Sequence, residues 1–229
     1  MTYFNRVIDD RMSQWRVPVG LIALSMIPAL AGIARLLQLR SGVITPENER
    51  FFAAPLPVVL HIVTVTLYSL LGAFQFAPGL RRRRRDLHRL FGWILIPSGL
   101  IAALSGLWMT EFYPRVNYEG ETLHVIRLLV GVSMAAALGF GLFAILRRDV
   151  ASHRAWMMRA YALGLGAGTQ VLTNAPWFFF PSIRGEMTRT LGMAVGWAIN
   201  IVVVEVILRK PTPKLRQQRM THGARVPGG

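Results

Sequence analysis

Four histidines define the chemistry open to this chain. His61, His88, His124 and His153 stand 27, 36 and 29 residues apart, and a fifth, His222, lies far from them. A neutral imidazole binds a transition metal through one nitrogen, and near neutral pH the same ring can carry a proton. Arginines accompany them: Arg89 and Arg154 directly follow His88 and His153, Arg127 comes three residues after His124, and Arg159 six after His153. A guanidinium so placed can hold an anionic group beside an imidazole. Cysteine is absent, which excludes disulfides, thiolate metal sites, iron–sulfur clusters and cysteine nucleophiles.

The elements that must position these side chains are membrane helices. The chain has 229 residues, 53% hydrophobic and only 16% charged, too apolar for a soluble domain of this size. Six apolar stretches, near 17–35, 55–79, 89–111, 122–146, 155–180 and 188–208, come close to or exceed the roughly 20 residues that cross a hydrocarbon core of about 30 Å. The expected fold is all-α: a polytopic membrane protein with six transmembrane helices over 17–208, a cytoplasmic segment over 1–16 and a basic tail over 209–229. Pro28, Pro97, Gly164, Gly166, Gly168 and Pro176 lie inside these stretches and read as kinks or close helix approaches. GLGAG at 164–168 follows no strand, so packing through small residues is read in preference to a phosphate-cradling loop.

Charge fixes the expected orientation. Lys and Arg total 26 against 11 Asp and Glu, a net charge of +15, and nearly all of it sits in short runs between apolar stretches. That is the pattern of cytoplasmic loops and not of a nucleic-acid binder. With the N-terminus inside, nineteen basic residues fall on the cytoplasmic side and six on the outer side. Both termini are therefore expected in the cytoplasm and the protein in a bacterial inner membrane. Asp9 and Asp10 weaken the basic region that a signal peptide needs, so the first stretch reads as an uncleaved helix. The run Arg81, Arg82, Arg83, Arg84 and Arg85 and the Pro- and Gly-rich tail are expected to lie on anionic lipid headgroups.

An internal repeat links the histidines. LHIV at 60–63 matches LHVI at 123–126, and the segments run into RRRRRDLHR at 81–89 and RRDVASHR at 147–154. A two-helix unit thus occurs twice in the same orientation, about 55–111 and 122–180, and two such parallel repeats would form a four-helix core. His61 and His124 then lie toward the outer face at depths differing by about 4.5 Å at the helical rise, and His88 and His153 lie at the cytoplasmic face. Two imidazoles facing each other at one depth of an apolar bundle form the axial set of a b-type haem. On this reading His61, His124, His88 and His153 are iron ligands of two haems. Arg127 is placed to pair with propionates at the outer site, and Arg89, Arg154 and Arg159 at the inner one. Taken singly, a histidine beside an arginine at a helix start also serves as an interfacial anchor.

The topology resembles the transmembrane dihaem cytochromes b of the ascorbate-dependent reductase type. That resemblance implies one haem between His61 and His124 and another between His88 and His153. More locally, HRxxG at His88, Arg89 and Gly92, and HRxWMxR at His153, Arg154, Trp156, Met157 and Arg159, resemble a bacterial family of predicted multi-pass membrane proteins of unknown function. Within the sixth stretch Glu205 is costly unless paired, and Arg209, four residues on, is the expected partner. The leading expectation is a membrane cytochrome that passes electrons between an outer and a cytoplasmic haem, with a donor and an acceptor that the sequence does not name. Two others stand beside it: a haem-free carrier of a small solute or protons with the histidines as relays, and a structural or assembly partner of a membrane complex.

Overall fold

A bilayer offers no partner to a free backbone N–H or C=O, and a helix satisfies both within one segment. The computed structural model describes residues 2–210, and no β-strand occurs among them. The elements are α1 (Thr2–Ser41), α2 (Glu49–Ala53), α3 (Pro55–Gln75), α4 (Pro78–Arg83), α5 (Arg85–Phe112), α6 (Glu121–Leu146), α7 (Val150–Gly164), α8 (Gly166–Thr173), α9 (Ala175–Phe179), a 3-10 turn (Pro181–Ile183) and α10 (Glu186–Arg209). The basic tail, from residue 211 on, falls outside the described residues.

Among the described residues five helices are long and apolar enough to cross a membrane: Trp15–Ser41 within α1, then α3, α5, α6 and α10. Their outer faces carry Leu30, Val63, Trp93, Leu129 and Val202, all exposed, which is the expected surface where the solvent is lipid. The first helix runs well beyond its apolar stretch and stops where Gly42 takes a left-handed backbone at φ 73°, a conformation that costs glycine nothing.

The stretch expected as a fifth span, 155–180, is three helices and not one. Gly164 is approached by the Tyr68 ring, Gly166 by the Trp197 indole and Gly168 by the main-chain oxygen of Leu24. Three neighbours thus press into the backbone where no side chain keeps them out, and the GLGAG segment serves packing. The second break falls at Asn174, because Pro176 has no N–H to continue the ladder. The Gln170 oxygen accepts from both the main-chain N–H and the side-chain amide of Asn174, at 2.9 and 3.0 Å.

Four elements close a ring: α3 packs on α5, α5 on α6, α6 on α7, and α7 back on α3, while α1 covers α3 and α8, and α10 covers α7 and α8. The diagonals of the ring are therefore α3 with α6 and α5 with α7. Its core consists of Tyr68, Leu95, Ala103, Met134, Ala137, Leu138, Ala160, Tyr161 and Leu165. At one end of the bundle the loop after α5 is tied to the start of α3, with the Tyr113 hydroxyl donating to the Ala54 oxygen at 2.5 Å and Arg50 to the Pro114 oxygen at 3.1 Å. At the other end Arg148 adopts φ 62° after α6, and Asp149 caps α7 by accepting from the Ser152 N–H at 3.0 Å.

Candidate functional site

The ring puts His61 (α3) and His124 (α6) on opposite helices at the end that holds Glu119, and His88 (α5) and His153 (α7) on opposite helices at the other. Each of three imidazoles is held by a neighbouring helix of the ring, not by its diagonal counterpart. His61 is half-buried, with Nδ1 2.9 Å from the carbonyl oxygen of Ala102 and 3.3 Å from the Ser105 hydroxyl on α5. Gly106 makes room for this ring, since a Cβ there would stand 3.2 Å from its Cε1. His153 repeats the arrangement, with Nδ1 2.8 Å from the carbonyl oxygen of Gly141 on α6. A carbonyl can only accept, so in both rings the proton sits on Nδ1 and the lone pair on Nε2.

His124 differs. Its Nε2 lies 3.4 Å from a carboxylate oxygen of Glu111 on α5. His88 sits in the first turn of α5, where its carbonyl accepts from the Gln75 side chain at 3.4 Å. One turn further, Gly92 is half-buried, yet apart from its chain neighbours and its own helix backbone nothing lies within 4 Å of where its Cβ would be. Open space therefore adjoins the HRxxG motif on the face that His88 shares.

The arginines divide into two kinds. Arg127 forks onto Glu119 with bonds of 2.9 and 2.6 Å, and Arg159 forks onto Glu205 with bonds of 2.6 and 3.2 Å while lying 4.9 Å from the Trp156 ring. Arg89 and Arg154 are exposed at the opposite end from Glu119. The partner of Glu205 is thus Arg159 on α7 and not Arg209, because a guanidinium from the packed helix meets both carboxylate oxygens at once. Arg127 and Arg159, expected beside propionates, both hold a protein carboxylate.

Glu119 gathers further charge. Its side chain is 9% exposed, and Arg189 also comes within 3.9 Å of it. Burial alone would raise its pKa, but the hydrogen bonds and charge of Arg127, with the charges of Arg50 and Arg189, outweigh that and hold the carboxyl below its ordinary range. Arg50, Glu111, Glu119, Ser105 and Gly141 complete the surroundings of the sites, and sequence reasoning missed them. One signal was present: an arginine inside an apolar span, Arg127, demands an anionic partner nearby. Among the described residues no group of three or more His, Asp or Glu is arranged to hold a metal ion.

Residues 58–208 match the model of a family described as Predicted membrane protein (DUF2306). No curated protein and no solved structure matches the chain.

Proposed function

The chain belongs to that family of predicted membrane proteins, and from this premise we propose that it is a b-type cytochrome of the bacterial inner membrane, with both termini cytoplasmic, moving electrons between two bis-histidine haems. The observation that carries the reading is the pair of fixed tautomers: Nδ1–H of His61 is committed to Ala102 and that of His153 to Gly141. A histidine that ligates a metal donates its other N–H in this way, and the bond both aims the ring and makes its free nitrogen more basic. Haem asks the protein for only two axial ligands, so a pair of imidazoles across a diagonal suffices without a third ligand.

The residues that would hold the groups are His61 with His124, and His88 with His153. Haem, when bound, supplies a reversible one-electron iron couple whose potential follows from ligands, burial and hydrogen bonding. Gly92, one turn from His88, leaves its position on α5 clear of neighbouring helices. Arg89 and Arg154 are free of carboxylate forks and suit propionates at the inner end. At the outer end Arg127 serves if it exchanges Glu119 for a propionate. The fifth of six crossings is made by α7, α8 and α9 in succession, a broken span of the kind tolerated where the backbone is buried in protein. The two parallel repeats would then each supply one helix to each diagonal.

The test is the visible spectrum of protein purified from haem-replete cells. A Soret band with a sharp α band on dithionite reduction supports the reading, and a colourless preparation overturns it. The pairing has its own test: His61→Ala and His124→Ala should remove the same spectral component, and His88→Ala and His153→Ala the other. Wild-type spectra in all four variants would end the assignment of these ligands.

A further inference from the structure

The break at Asn174 opens a groove between the α8–α9 segment and the start of α10. It is an open groove of about 420 Å³, large enough to take part of a lipid chain. Its walls include Leu172, Pro176, Trp177, Ile183, Leu191 and Val195. The two hydroxyls in the wall are already used, since Thr173 donates to the Gly192 oxygen at 2.6 Å and Thr188 to the Ile183 oxygen at 2.6 Å. What remains inside is an apolar slot at the end of a membrane helix.

The rim is the opposite in character. Arg184 and Arg189 bracket the Trp177 ring, with guanidinium carbons 5.4 and 5.0 Å from its centroid. The indole Nε1 of Trp177 is buried and has no acceptor among the described residues. Gly185 provides no side-chain cap to α10, so the first N–H groups of a 24-residue helix also face this rim with their partial positive charge. The carboxylates nearby are Glu186, which packs against Gly120, and Glu119, which is held by Arg127 and lies 3.9 Å from Arg189. Arg184 donates to the Trp177 and Phe178 oxygens at 3.2 and 3.0 Å and keeps its charge without a carboxylate partner among the described residues. Two cations and a helix N-terminus beside an apolar slot call for a ligand that joins an anionic, acceptor-rich head to a hydrocarbon tail.

We propose that this groove is a binding site for one anionic phospholipid, with an acyl chain along Leu172, Leu191 and Val195 and the phosphate at Arg184 and Arg189. Charge complementarity selects the head: a zwitterionic lipid brings its own cation to a rim that already has two. The site lies at the end of the bundle opposite the arginine run 81–85, so it is separate from the headgroup contacts expected there. It does not depend on haem.

The test is native mass spectrometry of the full chain released from detergent. Phosphatidylglycerol and phosphatidylcholine with identical acyl chains are titrated in parallel, with inorganic phosphate as a third probe. One tightly retained phosphatidylglycerol is expected, with phosphatidylcholine weaker by about tenfold. Arg184→Gln leaves the Glu119 cluster intact and should reduce the preference about fivefold, the worth of one basic residue at a membrane surface. Leu191→Trp fills the slot from the tail side and should expel both lipids while the protein stays monodisperse. Equal retention of the two lipids by the wild type would show a slot for tails alone and overturn the headgroup assignment. Displacement of the lipid by millimolar phosphate would show a free-anion site, and no retained lipid would show no site.

Discussion

Replacing Glu119 by Gln tests whether the charges at one end of the bundle act as a unit. The carboxylate accepts two charge-assisted hydrogen bonds from Arg127, at 2.9 and 2.6 Å, and has Arg189 at 3.9 Å. Gln keeps one acceptor oxygen and loses the charge, so three guanidiniums, those of Arg50, Arg127 and Arg189, are left to repel one another. Breaking a fully buried ion pair by removing one partner costs about 3–5 kcal/mol. Arg127 and Arg189 are 26% and 23% exposed, so water screens part of that loss, and about 2–3 kcal/mol is expected at pH 7. Thermal unfolding in mild detergent should then fall by about 5–10 °C. The carboxyl titrates below its unfolded range, so its contribution is complete above the unfolded pKa and disappears as pH falls through the lower folded one. Wild type and Glu119→Gln should therefore converge on acidification. A variant within about 0.5 kcal/mol of wild type at neutral pH, or a gap that stays constant down to the acid limit, would refute the reasoning.

Three further outcomes follow from other contacts. In a thermal-unfolding double-mutant cycle, Arg159→Gln and Glu205→Gln should show a coupling of about 1–2 kcal/mol, because the fork joins α7 to α10 and both partners are only 30% exposed. Gly168→Ala places a methyl group against the Leu24 main-chain oxygen, which cannot rotate away, and should cost about 1–3 kcal/mol; Gly92→Ala, with open space around it, should raise the stability of haem-free protein by about 0.5–1 kcal/mol. Tyr161→Phe removes the 2.7 Å bond to the Ser69 oxygen in the core and should lower stability by about 1 kcal/mol with little change in helix content by circular dichroism.

Helix positions were legible because hydropathy over some 20 residues is a local property. The stretches expected at 89–111, 122–146 and 188–208 appear as Arg85–Phe112, Glu121–Leu146 and Glu186–Arg209. The 155–180 stretch is interrupted by Gly164, Gly166, Gly168 and Pro176, which read in the sequence as kinks or close approaches; that they split it into three helices shows only once Tyr68, Trp197 and Leu24 are packed against the glycines. Spacing placed the histidines at their ends of the bundle, but it could not say what each ring touches. Ala102 and Gly141 offer main-chain oxygens, which any residue has, so nothing in the sequence marks them as partners of His61 and His153. The Glu205 partner was missed for a related reason: Arg209 is four residues away in sequence, whereas Arg159 is 46 away and meets it only once α7 and α10 are packed.

The middle of the ring has a consequence of its own. There the Tyr68 ring fills the space left by Gly99 and Gly164, the Tyr161 ring fills that left by Gly72, and Leu138 is fully buried between them. This layer of the ring is built of apolar and phenol side chains packed against glycines, so part of a membrane voltage falls across it. A charge moved through 100 mV gains or loses about 2.3 kcal/mol, but the layer contains no Asp, Glu, Lys or Arg for the field to pull on. The fold at this depth should be indifferent to the membrane potential.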